Sequence, residues 1–281
     1  MKTYKITDHK IIQGDIIEIL KGKEIPDGSI DLIFADPPYN IGKNFNGRKD
    51  KWESVEKYMD WCHEWLDLSL KKLKQNGSFY LMASTQFMPY FDIYLRDKIN
   101  IMSRVVWAYD SSGVQAQKHF GSLYEPILFC VKNKNKYTFN AKAIRVKAKT
   151  GADRKLTNYR SNPPKPYNKT KVPGNVWQFN RVRFKMEEYE EHPSQKPRVL
   201  LERIVKASTN KKGIVLDLFS GTFTTAIVAK NLSRISISIE IDDEFVKIGM
   251  RRLKINSVSK TKRFKGRKKS APGKRMVKKK K

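Results

Sequence analysis

The chain has 281 residues and a formal net charge of +30, with 58 Lys and Arg, 28 Asp and Glu, and 39% hydrophobic residues. This length allows one large domain or two small ones, and the hydrophobic fraction excludes a chain disordered throughout. Two Cys exclude a disulfide framework, and the apolar runs are too short to cross a bilayer, so we predict a cytoplasmic protein without a membrane partner.

The first 131 residues alternate short apolar segments with amphipathic ones, a pattern typical of a parallel α/β sheet. A helix is predicted over residues 55–75, with Asn76 and Gly77 ending it. The predicted strands of this part cover residues 11–13, 30–35, 78–83, 101–109 and 125–131.

Residues 132–186 break this alternation. They contain 16 Lys and Arg, Asp153 as their single acid, several prolines and interleaved aromatic residues. We interpret this segment as an inserted module or large loop rather than more sheet. Its charge of +15 predicts a polyanionic partner, with nucleic acid favoured over a membrane surface or an acidic protein.

The alternation resumes after the insert and ends in a basic tail. Residues 258–281 hold 13 Lys and Arg and no acid, which predicts a disordered tail and leaves only +2 for the remainder. We therefore divide the chain into segments 1–131, 132–186, 187–257 and 258–281. The predicted elements after the insert are a helix over 198–208, a strand over 214–216, a turn over 219–222, a helix to 231, a strand over 235–239 and a helix from 243.

Asp36-Pro37-Pro38-Tyr39 directly follows the predicted strand 30–35. Ligands of open α/β sheets bind beyond the carboxyl ends of strands, so this segment is a candidate site. The Asp36 carboxylate and the Pro37 carbonyl can accept hydrogen bonds, and the Tyr39 ring can stack on a flat group. These features suit an amino group on a planar base, although a plain Pro-Pro turn explains the isolated motif equally well.

A second candidate site lies between Asp217 and Thr225, where a strand, a turn and a helix are predicted. Gly221 permits a close backbone approach to a ligand, but the segment lacks the three glycines of the dinucleotide fingerprint. Glu240 ends the next predicted strand, where an acid can hold ribose hydroxyls. An ordinary βαβ turn followed by a surface Glu is the alternative.

Two further segments carry polar groups at element boundaries. Asp15 follows a predicted strand and could accept from an adenine amino group or cap a helix. His192-Pro-Ser-Gln-Lys-Pro197 precedes a predicted helix, and its simplest interpretation is a loop. The four His have no paired spacing, so we predict no metal site.

Taken in chain order, these motifs resemble the β-class DNA amino-methyltransferases, which use S-adenosylmethionine and have a circularly permuted motif order. In that family D-P-P-Y comes first, followed by a target-recognition insert, H-P-[ST]-Q-K-P, the cofactor loop D-P-F-x-G-S-G-T-T and an acid on the next strand. The match covers residues 10–255. D-P-P-Y is typical of the adenine-N6 members, whereas S-P-P-Y is commoner in cytosine-N4 enzymes.

The resemblance implies a Rossmann-like α/β methyltransferase sheet and methyl transfer to adenine N6 in duplex DNA, in line and after base flipping. Asp36 and the Pro37 carbonyl would bind the target amino group, and Pro38 and Tyr39 complete this catalytic segment, with Tyr39 stacking on the base. The residues implied to bind the cofactor are Asp15 at its adenine, Glu240 at its ribose, Ser194, Lys196, Asp217 and Gly221 at its methionine end, and Phe219 and Thr222 in the same loop.

The cofactor loop departs from the family pattern at Leu218, where Pro is usual, and at Phe223, which replaces the second glycine of G-S-G. We expect Phe223 to crowd a close backbone approach to the cofactor. Phe223 is the only feature that favours a non-catalytic nucleic-acid binder on the same scaffold, whereas the intact Asp36–Tyr39 segment argues against it. A cytosine-N4 enzyme and an RNA-modifying enzyme with the same core also remain open.

The resemblance also implies that the basic insert is the target-recognition module. In the insert, Lys and Arg would contact DNA phosphates while a few Arg, Asn or Gln read base edges. The tail lies outside the matching motifs, and a basic end without acids either adds affinity that does not depend on sequence or stays solvated. Double-stranded DNA is the implied partner, and a homodimer and a cognate restriction endonuclease remain open.

Overall fold

The computed structural model describes residues 1–111, 116–149, 155–255 and 258–259. Its helices are α1 (Ile16–Lys21), α2 (Val55–Lys72), α3 (Met88–Arg96), α4 (Arg198–Ser208), α5 (Thr224–Asn231) and α6 (Asp243–Leu253), with a 3-10 turn at Ala141–Ile144. The longer strands are β1 (Lys2–Ile6), β2 (His9–Gln13), β3 (Ile30–Ala35), β6 (Leu73–Met82), β7 (Asn100–Ala108), β8 (Tyr124–Val131), β13 (Val176–Gln178), β14 (Ile214–Asp217) and β15 (Ile235–Glu240). The two-residue strands are β4 (Asn44–Phe45), β5 (Arg48–Lys49), β9 (Val146–Lys147), β10 (Thr157–Asn158), β11 (Lys165–Pro166), β12 (Thr170–Lys171) and β16 (Val258–Ser259).

Ten strands form one mixed sheet in the order β13-β7-β8-β6-β3-β14-β15-β2-β1-β16. Its centre, from β6 to β2, is parallel throughout, as predicted. β8 runs antiparallel to both of its neighbours, and β1 runs antiparallel to β2 and β16. The late strands β14 and β15 lie between the early strands β3 and β2, so the two halves of the chain build one sheet.

Helices cover both faces of the sheet, because alternate residues of each central strand point to opposite sides. On β3, Ile33 packs in the cluster formed with α1, α2 and α3, whereas Leu32 and Phe34 pack in the cluster formed with α4 and α5. A smaller cluster joins α5 and α6 to β1 and β2. The predicted α/β class is confirmed.

Three expectations about elements are wrong. The helix α2 ends at Lys72, and the chain enters β6 at Leu73, so Asn76 and Gly77 lie within a strand instead of ending the helix. The insert also contributes to the main sheet, because β13 pairs in parallel with β7. No strand was predicted before residue 11, yet β1 forms an antiparallel pair with β2.

The other predicted elements after the insert are observed with small changes of boundary, and α4 has the predicted bounds. Within the described part of the chain, no helix is long and apolar enough to cross a bilayer. Of the predicted disordered tail, Val258–Ser259 pair with β1, and residues 260–281 lie outside the described residues.

Candidate active site

The motifs at Asp36, Asp217, Glu240 and Asp15 meet at one edge of the sheet, because they lie at the carboxyl ends of four adjacent parallel strands, β3, β14, β15 and β2. A cavity of about 610 Å³ opens there. Every predicted catalytic and cofactor-binding residue lines it, namely Asp15, Asp36, Pro37, Pro38, Tyr39, Ser194, Lys196, Asp217, Phe219, Gly221, Thr222 and Glu240.

Asp36 lies at the centre of a cluster of charged and polar side chains. Its Oδ2 is 2.6 Å from Lys196 Nζ, and its Oδ1 accepts a hydrogen bond of 2.6 Å from the Tyr39 hydroxyl. Burial raises the pKa of the Asp36 carboxyl, although the Lys196 ammonium opposes this effect. Burial alone lowers the pKa of Lys196, but the Asp36 and Glu125 carboxylates raise it above its usual value. At this distance the two groups form a buried ion pair.

Lys196 has contacts beyond its own loop. We predicted Lys196 among the cofactor-binding residues, and the structure places its ammonium against Asp36. The same ammonium also donates to the hydroxyl of Ser194 at 3.0 Å. Lys196 therefore links the His192–Pro197 loop to the Asp36 segment.

Two residues that no motif contains hold the Asp36–Tyr39 segment in place. The buried carboxylate of Asp50 accepts from the backbone N–H groups of Tyr39 and Lys43. The Tyr58 hydroxyl on α2 donates to the carbonyl of Pro38 at 2.9 Å. Because both prolines restrict the backbone and these bonds hold its C-terminal end, the segment has little conformational freedom.

The turn at Gly221 requires glycine for two reasons. Its φ is +47°, and a Cβ there would lie 2.9 Å from Nε2 of His192. The sequence predicted that Gly221 allows a close approach to a ligand. In the structure it also allows the close approach of the His192 ring. The backbone N–H of Gly221 donates to Glu240 Oε2 at 2.8 Å, so the acid at the end of β15 also fixes this turn.

His192 was interpreted only as part of a loop, but its ring lies inside the cavity. Burial, together with Lys196 and Lys43, lowers the pKa of the imidazole to about 3, so the ring is neutral. Its Nδ1 accepts from the backbone N–H of Ser194, which assigns the proton to Nε2.

The expectation that Phe223 crowds the cofactor loop is wrong. Phe223 has a left-handed backbone with φ +60°, the conformation that the usual glycine adopts readily. Its side chain is fully buried and is not among the residues lining the cavity. A Cβ at Gly249 would lie 2.6 Å from the Phe223 ring, so the absence of a side chain on α6 makes room for the phenyl group.

The second departure, Leu218, adds a contact. Its backbone N–H donates to the carbonyl of Phe34 at 3.1 Å, a bond that the usual proline cannot make. This bond joins the end of β14 to β3 at Phe34, two residues before Asp36. Both departures from the family pattern are therefore accommodated in the core.

Three carboxylates surround the cofactor side of the cavity. Asp217 is 3% exposed, and burial raises the pKa of its carboxyl to about 7. Glu240 accepts three backbone N–H bonds, and burial raises its pKa above the ordinary value. Asp15 caps α1 by accepting from Ile17 and Glu18, the alternative role that the sequence left open.

One wall of the cavity is aromatic. Trp52, Trp61 and Phe219 line it, and the ring centroids of Trp61 and Phe219 are 5.8 Å apart. Trp61 was predicted only as a core residue of α2. Its place in the wall depends on how α2 packs against the turn after β14, which no local sequence pattern indicates.

Glu125 is an acid at the cavity that no sequence motif contains. It lies near the start of β8, and its Oε2 is 3.0 Å from the Tyr39 hydroxyl and 3.5 Å from Lys196 Nζ. Because β8 runs antiparallel to β6, its first residues lie at the edge where the parallel strands end. The strand was predicted, but its direction was not.

The cavity fits the S-adenosylmethionine that the resemblance implies. This cofactor is a cation with an adenine, two ribose hydroxyls and an amino-acid end. The site offers Asp15, Asp217 and Glu240 as acceptors, flat aromatic surfaces, and a volume within the range of about 300–1,000 Å³ usual for such ligands. Among the described residues, no three His, Cys, Asp or Glu side chains are grouped to hold a metal ion.

Comparison with known proteins gives consistent results. The sequence profile of a DNA methylase family matches residues 30–251. The chain is 55% identical to the DNA adenine methyltransferase YhdJ of Escherichia coli (strain K12), over 88% of this chain and 83% of that protein. It is 34% identical to the type II methyltransferase M.HpaI of Haemophilus parainfluenzae, over 88% of this chain and 74% of that protein.

Solved structures share the fold. The PvuII DNA methyltransferase, described as cytosine-N4-specific, superposes with a TM-score of 0.68 at 19% identity, covering 92% of this chain and 91% of that one. The complex of M1.HpyAVI with SAM gives a TM-score of 0.62 at 24% identity, covering 87% of this chain and 98% of that one.

Proposed function

The chain belongs to the N6/N4 DNA methylase family, and we propose that it transfers a methyl group from S-adenosylmethionine to the N6 amino group of adenine in duplex DNA. One observation carries the proposal: the Asp36–Tyr39 segment and the Gly221 loop line the same cavity. Acceptors for an amino group and a binding place for the methyl donor thus share one space. The 55% identity to a DNA adenine methyltransferase supports adenine as the target.

The Asp36 carboxylate and the Pro37 carbonyl accept hydrogen bonds from the target amino group. Tyr39 lies beside Asp36 and offers its ring to the face of the base. A paired base cannot reach this cavity, so the target must be flipped out of the duplex. These contacts fix the orientation of the nitrogen lone pair, and positioning of this kind supplies much of the rate.

When bound, S-adenosylmethionine supplies a sulfonium methyl group, which the target nitrogen takes in line as the S–C bond breaks, with one amino proton released. The residues that would hold it are those predicted: Asp15 at the adenine, Glu240 at the ribose, and Asp217, Gly221, Thr222, Phe219 and Ser194 towards the methionine end. Lys196 would contact both the cofactor and Asp36.

No residue of the chain needs to act as a covalent nucleophile. Cys62 and Cys130 are both fully buried, and neither lines the cavity. Burial raises the pKa of the Cys62 thiol to about 12 and raises that of Cys130 as well. Both thiols are therefore inert and belong to the core.

The DNA would approach from the side where basic residues surround the cavity. Lys43, Arg48, Lys49 and Arg181 are all among its lining residues, and Arg181 belongs to the insert. Their positions suit contacts to the phosphates that flank a flipped base. The insert 132–186 as recognition module is a prediction that follows from the family, and a cytoplasmic location is one that follows from the composition. A homodimer and a cognate restriction endonuclease stay open.

The proposal is tested by incubating the full chain with labelled S-adenosylmethionine and unmethylated duplex DNA, followed by digestion to nucleosides. We expect label in N6-methyladenine. Asp36→Ala should abolish transfer, and Asp97→Ala, which removes an exposed carboxylate at the end of α3, should retain it.

Different outcomes would support a different activity. Label in N4-methylcytosine would establish a cytosine enzyme, and preferential labelling of structured RNA in competition with duplex DNA would establish an RNA enzyme. Full activity of Asp36→Ala would contradict the assigned catalytic segment. Failure to bind the cofactor at millimolar concentration would favour the non-catalytic binder, although the buried position of Phe223 removes the feature that suggested it.

A further inference from the structure

Both oxygens of Asp36 are already hydrogen-bonded. Oδ2 holds Lys196 Nζ at 2.6 Å, and Oδ1 accepts from the Tyr39 hydroxyl at 2.6 Å. A target amino group that is to donate to this carboxylate meets the Tyr39 hydroxyl at the Oδ1 position. Oδ1 has a second lone pair, but two donors on one oxygen weaken each other, so the amino group binds most strongly when the Tyr39 hydroxyl donates elsewhere.

Glu125 offers the alternative acceptor. Its Oε2 is 3.0 Å from the Tyr39 hydroxyl oxygen, within hydrogen-bonding distance. A phenol has one hydrogen and can donate it to only one of the two carboxylates at a time. Rotation about the C–O bond moves this hydrogen from Asp36 to Glu125 without moving either side chain.

The surroundings of Glu125 suit this role. Its side chain is 16% exposed, so its hydrogen bond to the hydroxyl is protected from water. Burial and the two carboxylates hold the pKa of Tyr39 well above its usual value, so the hydroxyl keeps its hydrogen. Lys196 Nζ lies 3.5 Å from Glu125 and partly balances the second negative charge.

We propose that Glu125 is a positioning residue, which takes over the hydrogen bond of the Tyr39 hydroxyl when the target amino group binds and so frees Asp36 Oδ1 to accept it. This inference rests on the proposed function, because it concerns the amino group that the enzyme methylates. Glu125 itself touches neither the target nitrogen nor the cofactor in this scheme and acts through Tyr39.

The first test compares Glu125→Leu with Glu125→Gln in single-turnover methylation at saturating DNA and cofactor. Glu125→Leu removes the acceptor, and its rate constant should fall about 10- to 100-fold, the effect of one charge-assisted hydrogen bond. Glu125→Gln keeps an acceptor oxygen and should recover most of this loss. Cofactor Kd should stay within about twofold, because Glu125 acts on the amino group alone. Glu53→Gln, on an exposed residue outside the cavity, is the matched control.

A double-mutant cycle with Tyr39→Phe separates this role from a structural one. Without the hydroxyl, no other donor competes for Asp36 Oδ1, so adding Glu125→Leu to Tyr39→Phe should reduce the rate less than about threefold. An equal loss in both backgrounds, or a loss in Glu125→Leu accompanied by weaker cofactor binding, would overturn the inference.

The inference and the proposed function fail in different ways. If the wild type methylates adenine and Glu125→Leu is as fast, only the inference is overturned. If the wild type methylates cytosine N4 instead, the choice of base is overturned, and the same cycle still tests Glu125. If the wild type methylates no nucleic acid, both are overturned together.

Discussion

Asp217 is a buried carboxyl whose charge state changes near neutral pH, because burial raises its pKa to about 7. In the proposed function it faces the cationic methionine end of the cofactor, and only the ionised form attracts an ammonium group. Cofactor affinity should therefore increase as pH rises towards 7. The Kd should fall about tenfold per pH unit below this pKa and level off above it.

Titration calorimetry from about pH 5.5 to about pH 8.5 measures this dependence. Asp217→Asn should bind weakly with a flat profile. Glu240→Gln is the control for the other buried acid, whose pKa burial also raises. His192, with a pKa of about 3, stays neutral over this range. The same slope in Asp217→Asn as in the wild type would assign the titration to another group.

Phe223 and Gly249 form a matched pair whose coupling can be measured. Ala is normally preferred to Gly within a helix by about 1 kcal/mol. At Gly249 a methyl group would overlap the fully buried Phe223 ring, and overpacking of this kind costs about 1–3 kcal/mol, so Gly249→Ala should be destabilising.

In the Phe223→Gly background the ring is absent, and the same Gly249→Ala change should become stabilising. Phe223→Gly alone should lower stability by about 3 kcal/mol, because the lost phenyl group outweighs the relief of the left-handed backbone. Urea unfolding of the four proteins measures the coupling. Equal effects of Gly249→Ala in both backgrounds would show that the two residues are independent.

The residue type at position 223 does not by itself determine where the Phe223 side chain lies. The sequence shows directly that a bulky residue occupies the position of a family glycine. The direction of its side chain depends on the left-handed backbone at this turn and on the missing side chain at Gly249, 26 positions away in the sequence. Both features belong to the tertiary structure and cannot be read from the local sequence. The predicted crowding is wrong for this reason.

At the scale of elements, the sequence predicted the central strands well and the edges poorly. β3 and α4 have their predicted bounds, because each is a continuous or periodic apolar segment with a clear end. β13 is three residues long and is defined only by its pairing with β7. The direction of β8, which brings Glu125 to the cavity, is likewise set by its partners rather than by its own residues.

Trp177 on β13 holds the end of the insert against the sheet. It is 8% exposed, donates from Nε1 to the carbonyl of Gly174, and lies under the guanidinium of Arg203, which is 5.1 Å from its ring. Trp177→Ala should detach this strand, at a cost of about 3–5 kcal/mol. Because Arg181 follows shortly after β13, its place at the cavity should be lost as well.

Trp177→Ala should therefore weaken DNA binding while leaving cofactor affinity nearly unchanged, since the cofactor loop lies on β14 and α5. Limited proteolysis should show faster cleavage within the insert. Tyr159→Ala, at a 79% exposed side chain of the same insert, is the control and should leave proteolysis unchanged. Equal loss of DNA and cofactor binding would instead indicate general unfolding.

At the scale of the molecule, most of the net positive charge lies outside the segments that form most of the cavity. The insert and the tail carry +15 and +13, whereas the remainder of the chain, which supplies most of the cavity, carries +2. Among the described residues of the insert, Arg181 is the one that lines the cavity. This division predicts that affinity for DNA and affinity for the cofactor can be changed independently.

The tail gives the sharpest test of this division. All 13 of its Lys and Arg lie in residues 260–281, so a deletion from Lys260 keeps Val258–Ser259 and their pairing with β1. Each phosphate that the tail neutralises adds about 0.9 to the slope of log affinity against log salt, so the deletion should reduce this slope. We expect the shortened chain to bind all duplexes more weakly, with a flatter salt dependence.

The methylated sequence should not change in this deletion, because a contact to phosphates carries no base information. Fluorescence anisotropy over a series of salt concentrations, together with mapping of methylated bases, tests both statements. A chain of full length in which the tail Lys and Arg are replaced by Gln separates charge from length and should behave like the deletion. A changed recognition sequence, or an unchanged salt slope, would show that the tail does not act as a sequence-independent contact to DNA.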